Sequence, residues 1–321
     1  MHALRFFEFG DPSKLSLVDL PDPQADAATA IVRIVAASVN PSDVKNVAGQ
    51  MEGTVLPRVP GRDFCGVVEH GPREWLGAAV WGTGGNIGFS EDGTHAERIA
   101  FPVGALVKKP VNLPHDLAAT VGVTFVIAWL GAIDCAAVGE GETVAVIVAG
   151  GGVGGAVVQI AKSRGCRVIG IDRGQRPPPP AGALIDEFVS SDVDVVAQVK
   201  ELTGGKGAEV VFDAVGGIMF ETALLSLRHR GRLVEISSTG RRRVEFDLID
   251  FYHNESRIFG ADTRKLGSLE SAKILSNLVP AFEDGRFIGP TLARAYPLAE
   301  GVAAYGAVAR GTQGRVVLTM S

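Results

Sequence analysis

The feature that most restricts this chain is the run Ala149-Gly150-Gly151-Gly152-Val153-Gly154-Gly155. Its context gives it meaning. Residues 143–148 form a continuous apolar run, as a strand covered on both faces requires. After the glycines, Val153, Ala156, Val157, Ile160 and Ala161 recur at helical spacing and mark one apolar face, with Gly165 placed to end the helix. A strand, a glycine-rich turn and a helix in that order suit a pyrophosphate. The missing Cβ atoms admit it to the backbone, and the helix opens with free N–H groups and a partial positive charge. Two registers fit, Gly150/Gly152/Gly155 and Ala149/Gly151/Gly154, and spacing does not choose between them.

The pattern continues as alternating strands and helices. Apolar strands are expected at 167–171, 210–212 and 232–236. Helices are expected after an N-cap at Ser191, with Val195, Val196, Val199 and Leu202 on one face, and over 219–227. This alternation predicts an α/β Rossmann fold, a doubly wound parallel sheet. Asp172 ends the second strand, 21 residues after Gly151, where a carboxylate accepts from ribose hydroxyls and favours NAD(H). Arg173 and Arg176 stand beside it and offer the alternative, a 2′-phosphate clamp for NADP(H). Four prolines, Pro177 to Pro180, exclude a crossover helix there and predict an extended segment.

The remainder has a different texture. Short strand patterns at 30–37, 64–69, 78–81 and 96–101 are separated by Gly and Pro, as in a β-rich barrel or sandwich. A helix-compatible stretch spans 116–137, another spans 271–282, and 314–319 reads as a closing strand. With 321 residues, two domains are expected. A net charge of −5 argues against a nucleic-acid partner, and Arg241–Arg243 is too short for a basic tract. No stretch is long and apolar enough to span a membrane, and the N-terminus lacks the pattern of a signal peptide. Cys65, Cys135 and Cys166 have neither disulfide nor metal-ligand spacing. These readings together give a cytoplasmic protein acting on a small-molecule substrate.

At this point the chain resembles the medium-chain dehydrogenase/reductase superfamily, in its zinc-independent quinone oxidoreductase-like branch. The resemblance rests on Ala37-Ser38-Val39-Asn40-Pro41-Ser42-Asp43, on Val59-Pro60-Gly61-Arg62-Asp63-Phe64-Cys65-Gly66, on Gly151-Gly152-Val153-Gly154, on Asp213-Ala214-Val215-Gly216-Gly217 and on Gly314-Arg315-Val316-Val317. It implies a GroES-like catalytic domain from residues 1–118 and 262–321, with the Rossmann domain, 119–261, inserted between. It prefers the Ala149/Gly151/Gly154 register, which assigns Ala149, Gly150, Gly151, Gly152, Val153 and Gly154 to the cofactor. It also places backbone groups near Val215 and Ser237 beside the nicotinamide. The positions of zinc ligands in metal-dependent relatives correspond to Asn40, Arg62, Asp63 and about Val123, a set unsuited to zinc. The resemblance therefore implies hydride transfer from NAD(P)H to a quinone or an α,β-unsaturated carbonyl without a metal, the alternatives being a zinc-free alcohol or carbonyl oxidoreductase of the same fold or a cofactor-binding protein with no turnover. Oxyanion charge would be met by hydrogen bonds, with Asn40 the first donor candidate and Ser42 and Thr124 secondary. Asn40 could equally serve the turn at Pro41. Asp43 and Arg62 could pair to shape the pocket or serve structure alone, and His95 could be a proton donor or an ordinary polar residue. A homodimer is implied, helped by the strand-like 256–260.

Overall fold

The computed structural model describes residues 1–320. Its chain divides into two units, Met1–Val126 with the residues from Thr263 onward, and Ile127–Asp262. The second unit holds six strands: β1 (Thr143–Ile147), β2 (Arg167–Asp172), β3 (Glu187–Ser190), β4 (Ala208–Asp213), β5 (Leu227–Glu235) and β6 (Arg257–Gly260). They lie in the order β3-β2-β1-β4-β5-β6, all parallel. This doubly wound order reverses between β1 and β4, and a ligand crevice opens outside the carboxyl ends at such a switch point. The helices between them are α1 (Gly152–Ser163), α2 (Ala181–Leu184), α3 (Val195–Leu202), α4 (Phe220–Leu225) and α5 (Leu248–His253). The expected apolar runs are the buried core strands, with Val144, Ala145 and Val146 fully enclosed.

Local details depart from the sequence expectations. Asp194, not Ser191, caps α3: its side chain accepts from the Ala197 N–H at 3.0 Å, while the Ser191 N–H donates to the Asp172 carbonyl. Asp at this position satisfies an orphan donor of the first turn, and Ser191 is already tied into the sheet edge. The proline run does not stay extended. It turns and leads into α2, with Pro180 as its N-cap, because proline is excluded only from positions that need an N–H or crowd a preceding carbonyl. Gly182 makes this possible: a Cβ there would stand 1.7 Å from the Pro177 carbonyl oxygen. The stretch 116–137 is not one helix but three pieces, His115–Ala118, Gly122–Trp129 and the wide π-turn segment Leu130–Cys135. Gly165 ends α1 as expected, in the left-handed region at φ +76°.

The first unit is built on a sheet of mostly antiparallel strands. Thr29–Val39 is its axis, pairing with Asp63–His70, Arg98–Pro102 and the final strand Arg315–Thr319. The last of these brings the end of the chain beside residues 36–39, since Val316 opposes Val39. Leu4, Phe6, Val39, Val47, Tyr305, Val316 and Leu318 form one core of this unit. A helix that the sequence reading missed, Pro41–Val47, follows the axial strand directly; proline at its first position and Asp43 in its first turn are ordinary helix-start signals hidden by shortness. No helix among the described residues is long and apolar enough to cross a membrane.

Helix α1 packs on β1 most tightly at Gly154. A Cβ there would lie 2.0 Å from the Val148 carbonyl oxygen, whereas one at Gly155 meets nothing closer than 3.5 Å. We expect Gly154→Ala to destabilise the protein by about 3 kcal/mol, the scale of overpacking against backbone that cannot yield. Gly155→Ala should be neutral or stabilising by up to about 1 kcal/mol, as for glycine in a helix interior. Urea denaturation of the two variants checks this contrast; equal effects would show that the packing at Gly154 is not the constraint.

Candidate functional site

The packing at Gly154 is what the Ala149/Gly151/Gly154 register of the glycine motif requires. Gly154 is the position where helix and strand meet without room for a side chain, and Gly151 stands three residues before it as the N-cap. Gly151 brings no side-chain acceptor, so the N–H groups of Gly152, Val153 and Gly154 open α1 with nothing built over them. A pyrophosphate fits such a turn on the geometry alone: free donors, a helix dipole and no Cβ in the approach. Ala149 is fully buried beneath it and Gly150 lies exposed at its rim.

Asp172 ends β2 beside this turn. One carboxylate oxygen accepts from the Gly150 N–H at 2.9 Å and the other from the Arg173 N–H at 2.8 Å. The carboxylate thus clasps the glycine turn to the second strand. Arg176, one of the two candidate phosphate partners, is committed elsewhere: its guanidinium caps the carbonyls of Gly182, Ile185 and Asp186. Arg173 is exposed. At the carboxyl end of β4, Asp213 accepts from the N–H groups of Val215 and Gly216 at 2.8 and 2.9 Å, and the Val215 carbonyl accepts from the Thr239 N–H. Ser237 lies half-buried on the adjoining segment after β5. A Cβ at Gly216, φ +62°, would fall 1.9 Å from the Ser237 carbonyl oxygen, so the segments holding Val215 and Ser237 are locked together.

The first unit gathers the remaining candidates into a buried polar cluster. Asn40 is 2% exposed and is the N-cap of the helix Pro41–Val47. Its Nδ2 donates to Asp63 at 2.9 Å, and its Oδ1 accepts from the Arg315 guanidinium. The Asn40 backbone N–H donates to Asp43 at 2.7 Å. Asp63 uses both oxygens: one accepts from the Val123 N–H at 2.9 Å, the other from Asn40 and from the Ser38 hydroxyl at 3.1 Å. Gly122 is required for this, since a Cβ there would stand 2.3 Å from the same carboxylate. Arg315 also donates to the Ser38 hydroxyl at 3.2 Å. The Arg62 guanidinium donates to the Thr263 hydroxyl at 3.2 Å. Burial pushes the Asp43 carboxyl up to about 7, against the Asn40 N–H and assisted by Asp63, while Arg62 and Arg315 act in the opposite sense.

The three donor candidates are not equivalent in this cluster. The Thr124 hydroxyl donates back to the Thr120 and Val121 carbonyls of its own helical stretch and has no proton left to offer. Asn40 has given its oxygen and one Nδ2 hydrogen to the cluster. Ser42, in contrast, has a buried hydroxyl with no hydrogen-bond partner. His95 is fully buried; its Nε2 donates to the Ser38 carbonyl at 3.0 Å and its Nδ1 accepts from the Tyr305 hydroxyl at 2.9 Å. Both ring nitrogens are therefore used, and burial drives its pKa down to about 4, which fixes it as a neutral structural residue.

The four positions equivalent to zinc ligands in metal-dependent relatives do not suit zinc. Arg62 and Val123 offer no donor side chain, Asn40 is a poor ligand, and the Asp63 carboxylate is spent on three hydrogen bonds. Four residues escaped the sequence reading as members of a site: Ser38, Tyr305, Arg315 and Glu235. Arg315 alone left a signal, a lone charge opening the otherwise apolar strand Arg315–Thr319.

Comparison with known proteins fits this geometry. The family of alcohol dehydrogenase GroES-like domains matches residues 26–114, and that of zinc-binding dehydrogenases matches residues 152–278. A zinc-type alcohol dehydrogenase-like protein of Schizosaccharomyces pombe is 36% identical over 298 residues, 89% of this chain and 86% of its own length. The quinone oxidoreductase of Homo sapiens is 27% identical over 337 residues, covering 100% of this chain and 98% of that protein. Among solved structures, a mycobacterial protein complexed with NADPH superimposes with a TM-score of 0.84 at 26% identity, over 99% of this chain and 100% of that one.

His95 carries a pH dependence with a definite sign. Its pKa is lower folded than unfolded, so its contribution to stability is complete above about pH 6.5 and is lost as pH falls toward 4. Asp43, whose pKa is raised, titrates in the opposite sense, so the variant must be compared with wild type at each pH. His95→Gln keeps a donor for Ser38 and an acceptor for Tyr305 but cannot titrate. We expect the stability gap between the two proteins to shift in favour of the variant by on the order of 3 kcal/mol between pH 7 and 4. Urea midpoints measured across that range decide it; a gap independent of pH would show that His95 is not held neutral by burial.

Proposed function

The chain belongs to the medium-chain dehydrogenase/reductase superfamily of oxidoreductases, in its quinone oxidoreductase-like branch, and from that premise we propose that it transfers a hydride from NAD(P)H to a quinone or an α,β-unsaturated carbonyl without zinc. The observation that carries this reading is the residue set at the zinc-ligand positions: Arg62 and Val123 supply no ligand atom, and the Asp63 carboxylate accepts from the Asn40 amide and the Val123 N–H. The substrate class follows from charge. Hydride addition to a conjugated carbonyl or quinone spreads the developing negative charge over a conjugated system, which hydrogen-bond donors can stabilise. Reduction of a saturated carbonyl concentrates that charge on one oxygen, which a Lewis acid stabilises more strongly than a neutral hydrogen-bond donor does.

The nicotinamide cofactor supplies the hydride when bound. The glycine turn Gly151–Gly154 would hold its pyrophosphate and Asp172 its adenosine ribose, while backbone groups of Val215 and Ser237 would flank the nicotinamide. The Ser42 hydroxyl and the second Nδ2 hydrogen of Asn40 would donate to the substrate oxygen. Arg315 and Asp63 fix the Asn40 amide so that this hydrogen has one direction, the preorganisation that makes such donors effective.

A steady-state assay of NADH and NADPH oxidation against panels of quinones and enones, with and without a chelator, tests the reading. Turnover restricted to saturated alcohols or aldehydes, lost on chelation, would overturn it. Within that assay, Ser42→Ala should lower kcat by roughly 100-fold, the scale of one lost oxyanion donor, with NAD(P)H affinity unchanged within about threefold. Thermal stability should stay near wild type, because the hydroxyl has no partner to lose. Asn40→Ala should lose both activity and stability, since it removes one buried partner from each of Asp63 and Arg315. A fully active Ser42→Ala enzyme would refute Ser42 as a donor.

Cofactor preference should follow Asp172. Its charge repels a 2′-phosphate, and Arg176 is occupied, which favours NADH. Asp172→Ser should shift relative affinity toward NADPH by about tenfold, equivalent to roughly 1.4 kcal/mol. Tighter NADPH binding by the wild-type protein in equilibrium titrations would mean that Arg173 governs the preference instead.

A further inference from the structure

Asp213 and Glu235 end the neighbouring parallel strands β4 and β5 and stand opposite each other in register. Phe212 and Val234, one residue earlier on each strand, face the segment Leu130–Cys135, where Gly131 approaches both rings and methyls. Alternation along a strand therefore sends the Asp213 and Glu235 side chains to the other face, that of α4. Asp213 is fully buried. Its Oδ1 accepts the two N–H groups of Val215 and Gly216, and its Oδ2 is buried with no hydrogen-bond partner. The Glu235 Oε1 is buried in the same condition.

Among the described residues no cation offsets this pair. Asp213 is the charged group that acts on Glu235, and Glu235 acts on Asp213 through a side-chain hydrogen bond. The charges on surrounding elements are directed elsewhere. Asp134, on the opposite face, bonds Trp129. Glu221 of α4, Asp250 and His253 of α5 and Arg257 of β6 are exposed. Arg232, near the start of the β4–β5 pairing, donates to Glu142 and the Ala136 carbonyl. Residues 214–217 and 236–240 contain nothing ionisable. Two ionised carboxylates cannot share such a site, whereas one proton between them turns two orphaned oxygens into a donor and an acceptor.

We propose that Glu235 is carried as the neutral acid, donating to Asp213, and that in this form it is a positioning residue for nicotinamide binding. The proposal rests on the cofactor reading above and concerns how the site is held. Asp213 templates the turn at Val215 and Gly216. Gly216 lies against Ser237, with a Cβ position 3.0 Å from Glu235 Oε2. Thr239 bonds back to Val215 at 2.8 Å. The shared proton is thus at the point where the two segments flanking the nicotinamide are joined, and its loss places two negative charges there. Burial and the Asp213 charge push the Glu235 carboxyl up to about 8. A raised carboxyl pKa means that the joined form is present below that pH and is lost as pH rises through it.

Equilibrium titration of NADH and NADPH from pH 6.5 to 9.5 tests the proposal. Wild-type Kd should rise about tenfold across that range. Glu235→Gln, whose amide donates to Asp213 at every pH, should bind as wild type does at pH 7 and stay flat. Glu235→Met, with no donor, should bind weakly throughout. In the cofactor-free protein, infrared difference spectra of wild type against Glu235→Gln should show a protonated-carboxyl C=O band at pH 7 that disappears by pH 9.5. Persistence of the wild-type pH decline in Glu235→Gln, a flat wild-type profile, or absence of the infrared band overturns the proposal while leaving cofactor binding intact. Failure of the wild-type protein to bind either nicotinamide cofactor at any pH overturns the functional reading, and this role with it, even if the infrared band is present.

Discussion

The buried guanidinium of Arg315 organises the first unit. A positive charge removed from water costs several kcal/mol unless its hydrogen-bonding capacity is met, so whatever surrounds it must be polar and fixed. Here one terminal nitrogen donates to Asn40 and Ser38, which are in turn held by Asp63, while the buried Nε has no hydrogen-bond partner. Each member recruits the next. Asp63 needs the Val123 N–H, and Gly122 must be glycine for that N–H to come close. The strand pairing of Val316 with Val39 places the guanidinium where the network can use it, although 275 residues separate Arg315 from Asn40. An apolar filling would tolerate small shifts; a chain of buried hydrogen bonds does not, and this fixes the Asn40 amide, at the N-cap of the helix that carries Ser42.

The second unit solves a related problem with backbone. Its strands end in carboxylates, Asp172 on β2, Asp213 on β4 and Glu235 on β5. Asp172 and Asp213 each accept two N–H groups from the segments beyond the strands. Such groups must be satisfied if a loop is to keep one conformation at a crevice rim. Carboxylates at the carboxyl ends of parallel strands do this without occupying the donors at the start of α1. Glycine at 154, 182 and 216 then lets the backbone segments approach more closely than any side chain permits.

Much of this was legible in the residues. Apolar runs covered on both faces, helical spacing after the glycines and a carboxylate at the end of the second strand give the Rossmann unit without coordinates, because burial and periodicity are local signals. The motifs around Asn40, Asp63 and Arg315 give the family and, through their residue types, a site ill suited to zinc. The short elements were hidden for the same reason that the long ones were visible. Pro41–Val47 has too few residues to show a period, and the prolines at 177–180 obscure a helix that begins just beyond them.

The sequence by itself determined the fold class, the glycine turn and the candidate residues, since these depend on neighbours along the chain. Tertiary structure decided what each candidate has left to give. Asn40, Thr124 and Ser42 are all plausible donors as residue types, yet Thr124 spends its proton on its own helix, Asn40 is largely held by Asp63 and Arg315, and Ser42 remains unpartnered. His95 becomes a neutral strut only because Ser38 and Tyr305 meet both its nitrogens. The observation that favours one of the two glycine registers, the 2.0 Å from a Cβ at Gly154 to the Val148 carbonyl oxygen, belongs to tertiary packing. Hydrogen-bond capacity and free volume are used up by partners distant in sequence, and no local pattern records which partner takes them.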